Sequence, residues 1–324
     1  MLIAWRSGVR IPLPPQMFYK HYLIMKNNFT HKAKPFIKWV GGKTQLLDDI
    51  KSSLPADLSQ REDVTYVEPF VGGGAVLFWI LQEYPNITRA VINDINAELV
   101  CTYRVIRDNV DGLIDELGLL QEQYLSLDAD GRKEYFLNQR DRFNGDEKSD
   151  IETAALFIFL NRTCFNGLFR VNSNGKFNVP HGKYANPKIC DADTLRADSE
   201  LLQRVEILCG DFEQTGEYAG ENVLYYFDPP YRPLTDTSAF TSYSKNGFDD
   251  KEQTRLRDFC ELISSRGSMF VASNSDPKNV DINDDFFDAL YERFDIKRVS
   301  ASRMINSKGD RRNAISEIMI SKIS

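Results

Sequence analysis

Apolar and polar positions alternate with two different periods in the first half of the chain, and the changes between them outline a βαβ unit. Residues 65–67 form a short apolar run that leads into the glycine-rich turn EPFVGGG at 68–74. A helical pattern follows at 75–84, a second apolar strand run at 89–92, and another helical pattern at 97–108. A strand, a glycine turn, a helix and a second strand in this order predict a parallel sheet and an α/β fold.

The same rhythm returns in the last third of the chain. Residues 223–227 (VLYYF) are continuously apolar, as expected of a central strand that is buried on both faces. Between 251 and 265, apolar side chains recur at helical spacing and predict a helix. Further strands are predicted at 205–208, 268–273, 294–299 and 314–320.

The segment between the two α/β parts differs from both in composition. Residues 111–152 carry twelve acidic and five basic residues, which favours solvated helices. Residues 161–188 carry five basic residues and no acidic one, with many Asn and Gly and interleaved aromatics, which favours hairpins and loops. We therefore predict one α/β domain formed by 35–110 and 201–324, interrupted by an insert of different character at 111–200.

The first 34 residues do not resemble either part. Pro12, Pro14 and Pro15 interrupt helices and strands, and the apolar positions of 1–34 follow no steady period. Two readings stay open, a disordered arm or a gene start placed too early, with Met17 or Met25 as the true first residue.

Overall composition limits the class of protein. The net charge is −7, which excludes a uniformly basic nucleic-acid binder but leaves room for a locally basic surface. The chain has five cysteines without a CxxC pair and three histidines, so we expect neither a disulfide framework nor a metal site, and a cytoplasmic location. No apolar run approaches the roughly 20 residues of a membrane span.

The glycine turn is the first candidate for chemistry. Glycines after a strand allow a ligand to approach the backbone closely, and Asp94 follows Gly74 by twenty residues at the end of the next predicted strand. That spacing suits a carboxylate that binds ribose hydroxyls, although a tight turn with an ordinary strand-end Asp has the same pattern. Gly42-Lys43-Thr44 imitates the end of a P-loop, but Ile37 stands where the loop's first glycine belongs, so nucleotide hydrolysis is rejected.

The sequence Asp228-Pro229-Pro230-Tyr231 is the sharpest motif, although a proline-rich turn alone would also end a buried strand. An Asp oxygen and the Pro229 carbonyl can together accept hydrogen bonds from one planar amino group, and Tyr231 can stack on the ring that carries it. Because the lone pair of an aromatic amine is delocalised, two acceptors that favour a tetrahedral nitrogen stabilise charge that develops in the transition state. The electrophile would have to come from a cofactor.

These motifs together resemble a known family. KWVGGK at 38–43, EPFVGGG at 68–74, NDIN at 93–96 and DPPY at 228–231 are similar, in type and order, to motifs of Dam-type (D12 class) DNA adenine-N6 methyltransferases. The likeness extends from about Pro35 to the C-terminus. Two further stretches, FNGLFRVNSNGKFNVPHGKY (165–184) and TSAFTSY (237–243), resemble members that recognise GATC, including those of restriction–modification systems.

The resemblance implies a Rossmann-like seven-stranded methyltransferase sheet that binds S-adenosylmethionine. Cofactor contacts would come from Trp39, Lys43, Phe70, Gly72, Gly74, Asp94, Asp211, Phe212 and Asp228. Trp39 near a sulfonium would gain cation–π attraction of about 0.5–2 kcal/mol. Asp228, Pro229, Pro230 and Tyr231 would form the catalytic motif, and the target adenine would be flipped out of the duplex for direct methyl transfer, without a metal.

The resemblance also implies the side chains that would bind double-stranded DNA. Arg170 matches a position that reads guanine, and an arginine that is bidentate to guanine is the commonest specific contact in the major groove. Residues Phe165, Asn166 and Leu168 match neighbouring positions at the site, and Lys176 and Lys183 would contact phosphates. The C-terminal stretch 293–312 has seven basic and two acidic residues and is either a solvated face or a backbone contact.

Two alternatives remain at the level of sequence. DPPY also serves RNA amino-group methyltransferases, although the Asn- and Gly-rich basic insert argues against that substrate. A non-catalytic DNA-binding regulator on the same scaffold should show decay at Asp228 or in the glycine turn, and neither is altered. We expect a monomer whose functional partner is a cognate restriction endonuclease.

Overall fold

The computed structural model describes residues 31–232, 248–301 and 315–323, which are organised around one seven-stranded sheet. Its strands are β1 (Val64–Glu68), β2 (Ile87–Asp94), β3 (Val205–Cys209), β4 (Val223–Phe227), β5 (Met269–Ser275), β6 (Asp295–Ala301) and β7 (Ile315–Lys322). Their order is β3-β2-β1-β4-β5-β7-β6. Strands β1 to β5 pair in parallel, and β7 runs antiparallel to β5 and β6. The predicted Rossmann-like methyltransferase sheet is confirmed.

Three of the described helices fall where the apolar pattern predicts them, at 75–84, 97–108 and 251–265, and two more lie in the acidic segment 111–152. The helices are α1 (Leu47–Ser52), α2 (Ala75–Glu83), α3 (Ala97–Asp108), α4 (Val110–Ser126), α5 (Ala129–Phe143), α6 (Asp150–Thr163), α7 (Ala192–Leu202), α8 (Asp250–Ser265) and α9 (Phe286–Leu290). Short 3₁₀ turns lie at Leu58–Gln60, Phe165–Gly167, Phe212–Tyr218 and Pro277–Asn279. No helix among these ranges is long and apolar enough to cross a membrane.

Strand β4 contributes side chains to two hydrophobic cores, one on each face of the sheet. All five of its residues are buried, as the continuous apolar run predicts. Tyr225 and Phe227 pack on one face with Phe259 of α8, whereas Leu224 and Tyr226 face the core on the other side of the sheet. Because side chains alternate between the faces of a strand, an apolar run without polar breaks is what a two-sided core requires.

Helix α6 forms the centre of the segment inserted between β2 and β3. Ser149 caps the N-terminus of this helix, because its hydroxyl accepts the Glu152 N–H at 3.2 Å. Nine of the fourteen helical residues are buried. The more acidic helices α4 and α5 pack against it. The chain then leaves the helix through the 3₁₀ turn and forms isolated β-bridges, Cys164–His181 and Val171–Phe177, consistent with the predicted hairpins and loops.

Parts of several sequence predictions lie outside the described residues. These are the arm up to residue 30, TSAFTSY at 237–243, and positions 302–312 of the basic C-terminal stretch. The last residues of the predicted arm pack against the rest of the protein. Ala33 is buried, and the Lys34 N–H donates to Asp198 Oδ1 at 3.0 Å.

Candidate active site

The candidate site lies where the carboxyl ends of β2, β1 and β4 meet at one edge of the sheet. Asp94 ends β2, the glycine turn follows β1, and Asp228 follows β4. Because parallel strands end at the same edge, the strand order alone brings three separate sequence motifs together. Glu68, buried at the end of β1, is close enough to both carboxylates that Asp94 and Asp228 each raise its pKa further.

Asp228 is held mainly by a lysine from the first motif. Lys43 Nζ lies 2.7 Å from Asp228 Oδ1 and 2.9 Å from Oδ2, and Ser273 Oγ lies 3.3 Å from Oδ1. Burial raises the pKa of Asp228 above its ordinary value, while the charge and hydrogen bonds of Lys43 oppose that rise. The ammonium therefore favours the ionised carboxylate, the form that can accept two hydrogen bonds.

Lys43 also contacts the other end of the DPPY motif. It is only 4% exposed, donates to the Gly41 carbonyl at 2.8 Å, and lies 4.7 Å from the centroid of the Tyr231 ring. The Tyr231 hydroxyl donates to Glu317 Oε2 at 2.7 Å, which ties the ring to β7. The Pro230 carbonyl accepts a hydrogen bond from Gln253 Nε2 at 3.3 Å. Side chains of Lys43, Glu317 and Gln253 thus hold the DPPY motif in place.

The glycine turn is shaped by contacts that exclude side chains. Gly72 has φ +48°, and a Cβ at that position would lie 2.8 Å from Cδ1 of Trp39, so the turn needs glycine there. Gly74 has φ +76° and forms the N-cap of α2. The Tyr103 hydroxyl donates to the Gly72 carbonyl at 2.9 Å. Trp39 and the glycines, predicted to serve one ligand, are therefore in direct contact.

Asp94 is buried against the same turn. Its Oδ2 accepts the Gly72 N–H at 3.0 Å and its Oδ1 accepts the Asn96 N–H at 2.9 Å. Burial raises its pKa, and these backbone hydrogen bonds oppose the rise. A carboxylate has about four lone-pair sites, so these backbone hydrogen bonds leave acceptor capacity for ligand hydroxyls. The neighbouring residue Ile95 is 74% exposed, and no sequence motif indicated this apolar surface at the site.

An aromatic cluster borders the site beyond β3. The rings of Phe70 and Phe212 lie 5.3 Å apart, and Phe248 packs edge-on to Phe70 at 5.7 Å. Asp211, predicted to flank a cofactor ring, forms an ion pair with Arg255, whose guanidinium lies 4.6 Å from the Phe212 ring centroid. The arginine lowers the pKa of Asp211 against the effect of burial. Phe212 and Phe70 thus form an apolar wall, and Asp211 lies next to Phe212 in the chain.

The predicted DNA-binding side chains lie together on the surface of the insert. Arg170 is exposed, and its Nε donates to Asn178 Oδ1 at 2.8 Å, so the guanidinium is held away from the core. Phe165 is 51% exposed, and Asn166 adopts φ +56° beside it. Lys176 and Lys183 are also exposed, whereas Leu168 is half-buried.

Several residues of the site were not expected from the sequence. Glu68 lies in the glycine motif itself and accepts a hydrogen bond from the Tyr66 hydroxyl at 2.7 Å in the core. Its position in the motif was visible, but its burial was not. Glu317 of β7 and Asn161 of α6 are brought to the site only by the fold, and no local sequence signal marks them.

Comparison with known proteins assigns the family. Residues 39–305 match the model of the D12 class N6 adenine-specific DNA methyltransferases. A type II methyltransferase of Methanocaldococcus jannaschii is 49% identical over 89% of this chain and 99% of its own. A type II methyltransferase of Lactococcus lactis subsp. cremoris is 39% identical over 92% and 98%, and the DNA adenine methylase of Haemophilus influenzae is 32% identical over 89% and 93%.

The chain therefore belongs to the D12 class of N6 adenine-specific DNA methyltransferases. Its substrate is DNA, and its methyl donor is S-adenosylmethionine. The resemblance drawn from the four motifs is confirmed, and the alternative of an RNA substrate loses its support.

Proposed function

We propose that this protein is a site-specific methyltransferase that modifies the adenine amino group within GATC in duplex DNA, acting as a monomer on a base flipped out of the helix. The observation that supports it most directly is the ion pair between Lys43 and Asp228, which joins the first and last motifs at the carboxyl end of β4. The two-part catalytic domain (35–110 and 201–324) with its recognition insert (111–200) belongs to this proposal.

The residues at the sheet edge fit the cofactor. Asp94 would hold the ribose, Phe70 and Phe212 would flank the adenine, and Trp39 would lie near the sulfonium end. The fit rests on the closeness of Trp39 to Gly72 and on the hydrogen bond from the Gly72 N–H to Asp94, which bring three of the predicted cofactor residues together at the end of β1. When bound, S-adenosylmethionine supplies an electrophilic methyl group.

The protein's own contribution is to bind and polarise the target amine. Asp228, whose ionised form the neighbouring Lys43 ammonium favours against the effect of burial, accepts an N–H hydrogen bond from the adenine amino group, and the Pro229 carbonyl accepts the second. These acceptors draw the lone pair out of conjugation and stabilise the positive charge that grows on the nitrogen. Tyr231 stacks on the extruded base, a contact worth roughly 1–3 kcal/mol by comparison with other base–aromatic pairs.

The insert supplies sequence recognition. Arg170, which is exposed and hydrogen-bonded to Asn178, would read guanine in the major groove. Phe165, Asn166 and Leu168 lie beside it and probe the base step, while Lys176 and Lys183 bind phosphates. A cognate restriction endonuclease, acting on the same site in the cytoplasm, is the functional partner that we propose from the type II methyltransferase relatives.

A digestion experiment tests the proposal. The chain is expressed in a host without adenine methylation, and its DNA is cut with endonucleases that GATC adenine methylation either blocks or activates. We expect complete protection from the first and cleavage by the second, whereas Asp228→Ala should give neither and still bind the duplex. Methylation at another sequence would overturn GATC, and near-normal turnover of the variant would overturn the role of Asp228.

A further inference from the structure

One buried amide joins the recognition insert to the first motif. Asn161, 4% exposed near the end of α6, accepts the Lys38 N–H at 2.8 Å with its side-chain oxygen. Its side-chain nitrogen donates to the Lys38 carbonyl at 2.8 Å and to the Gly167 carbonyl at 2.9 Å. The backbone of Lys38 is thereby fixed at both of its polar groups, as it would be by a neighbouring strand.

Further contacts hold the same two segments together. Gly167 has φ +64°, and a Cβ there would lie 2.6 Å from Cδ of Lys38, so the turn packs directly on the lysine stem. Lys38 Nζ lies 5.1 Å from the centroid of the Tyr184 ring, and the Tyr184 hydroxyl accepts the Asn166 N–H at 3.0 Å. The stretch proposed to meet DNA bases therefore rests on Lys38.

The other end of the 38–43 segment reaches the catalytic motif. Trp39 stacks on Phe169 of the insert at 5.9 Å and covers Gly72 on its other side. Four residues later, Lys43 holds Asp228. Between them the chain turns tightly, with the Gly42 N–H donating to the Trp39 carbonyl at 3.3 Å. One short segment thus contacts the insert at its start and the catalytic carboxylate at its end.

We propose that segment 38–43 couples DNA recognition to the cofactor and catalytic site, and that Asn161 is the positioning residue that makes the coupling rigid. The inference rests on the proposed function, because it needs Arg170 and its neighbours to bind DNA and Trp39 and Lys43 to contact the cofactor. A base contact that shifts 165–170 moves Lys38 through Asn161, and so changes the placement of Trp39 and Lys43. By linkage, cofactor binding must then change DNA binding by the same factor.

The test measures that factor by calorimetry. S-adenosylhomocysteine is titrated into the full chain with and without a GATC duplex. In the wild type we expect the duplex to tighten its binding by about fivefold or more. Asn161→Asp keeps the acceptor for the Lys38 N–H but replaces both donors by a carboxylate that repels the Lys38 and Gly167 carbonyls, so we expect the factor to fall to about one.

A matched control exists in the insert. Asn144 accepts the Phe177 N–H at 2.8 Å and donates to the Phe177 carbonyl at 3.0 Å, the same clamp without a contact to segment 38–43. Asn144→Asp should therefore keep the wild-type factor. If Asn161→Asp does not fold, Gly167→Ala disturbs the same joint from the other side, with Gly175→Ala, also at positive φ (+75°), as its control.

The outcomes separate the two proposals. Loss of coupling in Asn161→Asp or Gly167→Ala, with coupling kept in both controls, supports the inference. If the wild type binds both ligands and methylates GATC but shows no coupling, or if Asn161→Asp retains it, the inference fails and the proposed function stands. If the wild type methylates no adenine at GATC, the proposed function fails and the inference fails with it.

Discussion

The ammonium of Lys43 lies 2.7 Å from a carboxylate oxygen of Asp228, although 185 positions separate the two residues in the chain. Lys43 is almost completely buried, and the Asp228 side chain is 21% exposed. Removing one partner of such a pair leaves the other charge without compensation, and this penalty is larger than the net stabilisation by the intact pair.

Replacing Lys43 by methionine should therefore destabilise the protein strongly at pH 8, by about 3 kcal/mol. The loss should shrink toward pH 5, because without the ammonium the pKa of Asp228 rises further and the carboxyl becomes neutral. Urea unfolding at both pH values measures this. The control is Lys51→Met, which removes an exposed, solvent-screened ion pair with Glu83 and should destabilise the protein much less. Equal losses in the two variants would contradict the assigned role of burial.

Glu68→Gln should become relatively more stable as the pH rises. Burial raises the pKa of Glu68 well above its ordinary value. The protonated carboxyl therefore stabilises the folded wild type at low pH, and this stabilisation is lost as the pH rises through the folded-state pKa. Glutamine imitates the neutral form at every pH and keeps an acceptor for the Tyr66 hydroxyl. Unfolding free energies from pH 5 to pH 9 should show a growing difference in favour of the variant.

Asp57→Asn provides the control for that measurement. The pKa of Asp57 is lowered by its hydrogen bond from Arg61, so Asp57 is ionised in both the folded and unfolded states above pH 5. The stability difference between this variant and the wild type should stay constant from pH 5 to pH 9. A difference for Glu68→Gln that also stays constant would show that Glu68 is ionised in the folded protein.

Arg170→Ala and Lys176→Ala should affect DNA binding in different ways. Loss of a guanidinium that reads guanine should relax discrimination at one base pair by about 1–3 kcal/mol. Loss of a phosphate contact should weaken binding to every sequence alike and reduce the salt dependence by about one ion. Binding to duplexes with single-base changes in the site, measured at several salt concentrations, separates the two. Unchanged discrimination in Arg170→Ala would remove that residue from base recognition.

Gly72→Ala should weaken cofactor binding by more than it lowers the free energy of unfolding. Its φ of +48° is unfavourable for alanine, and the new Cβ would lie 2.8 Å from Trp39, so the turn and the indole must both shift. We expect the affinity for S-adenosylhomocysteine in calorimetry to fall at least tenfold, about 1.4 kcal/mol. In Gly118→Ala, on helix α4, the added methyl meets nothing within 4 Å, and the affinity should remain unchanged. Wild-type affinity in Gly72→Ala would place the cofactor elsewhere.

The sequence alone determined the strands, the site motifs and the family. Strand β4 could be read as VLYYF because a strand buried on both faces must be apolar throughout, and Asp228 could be read from DPPY because a functional residue follows the strand directly. The helix 97–108 was predicted at its observed bounds, because its apolar positions repeat with the helical period, and the structure adds that the Asn96 side chain caps it. Such features depend on neighbours along the chain, so the sequence carries them.

Only the tertiary structure decided which distant residues meet. The partnership of Lys43 with Asp228, the engagement of Asp211 by Arg255, and the clamp of Asn161 on Lys38 depend on strand order and on helices that cross the sheet edge. The raised pKa of Glu68 has the same origin, because a pKa depends on what surrounds the carboxyl in space. Contacts between residues this far apart in the chain, from 44 to 185 positions, leave no local period in the sequence, and for that reason they had to be seen in the fold.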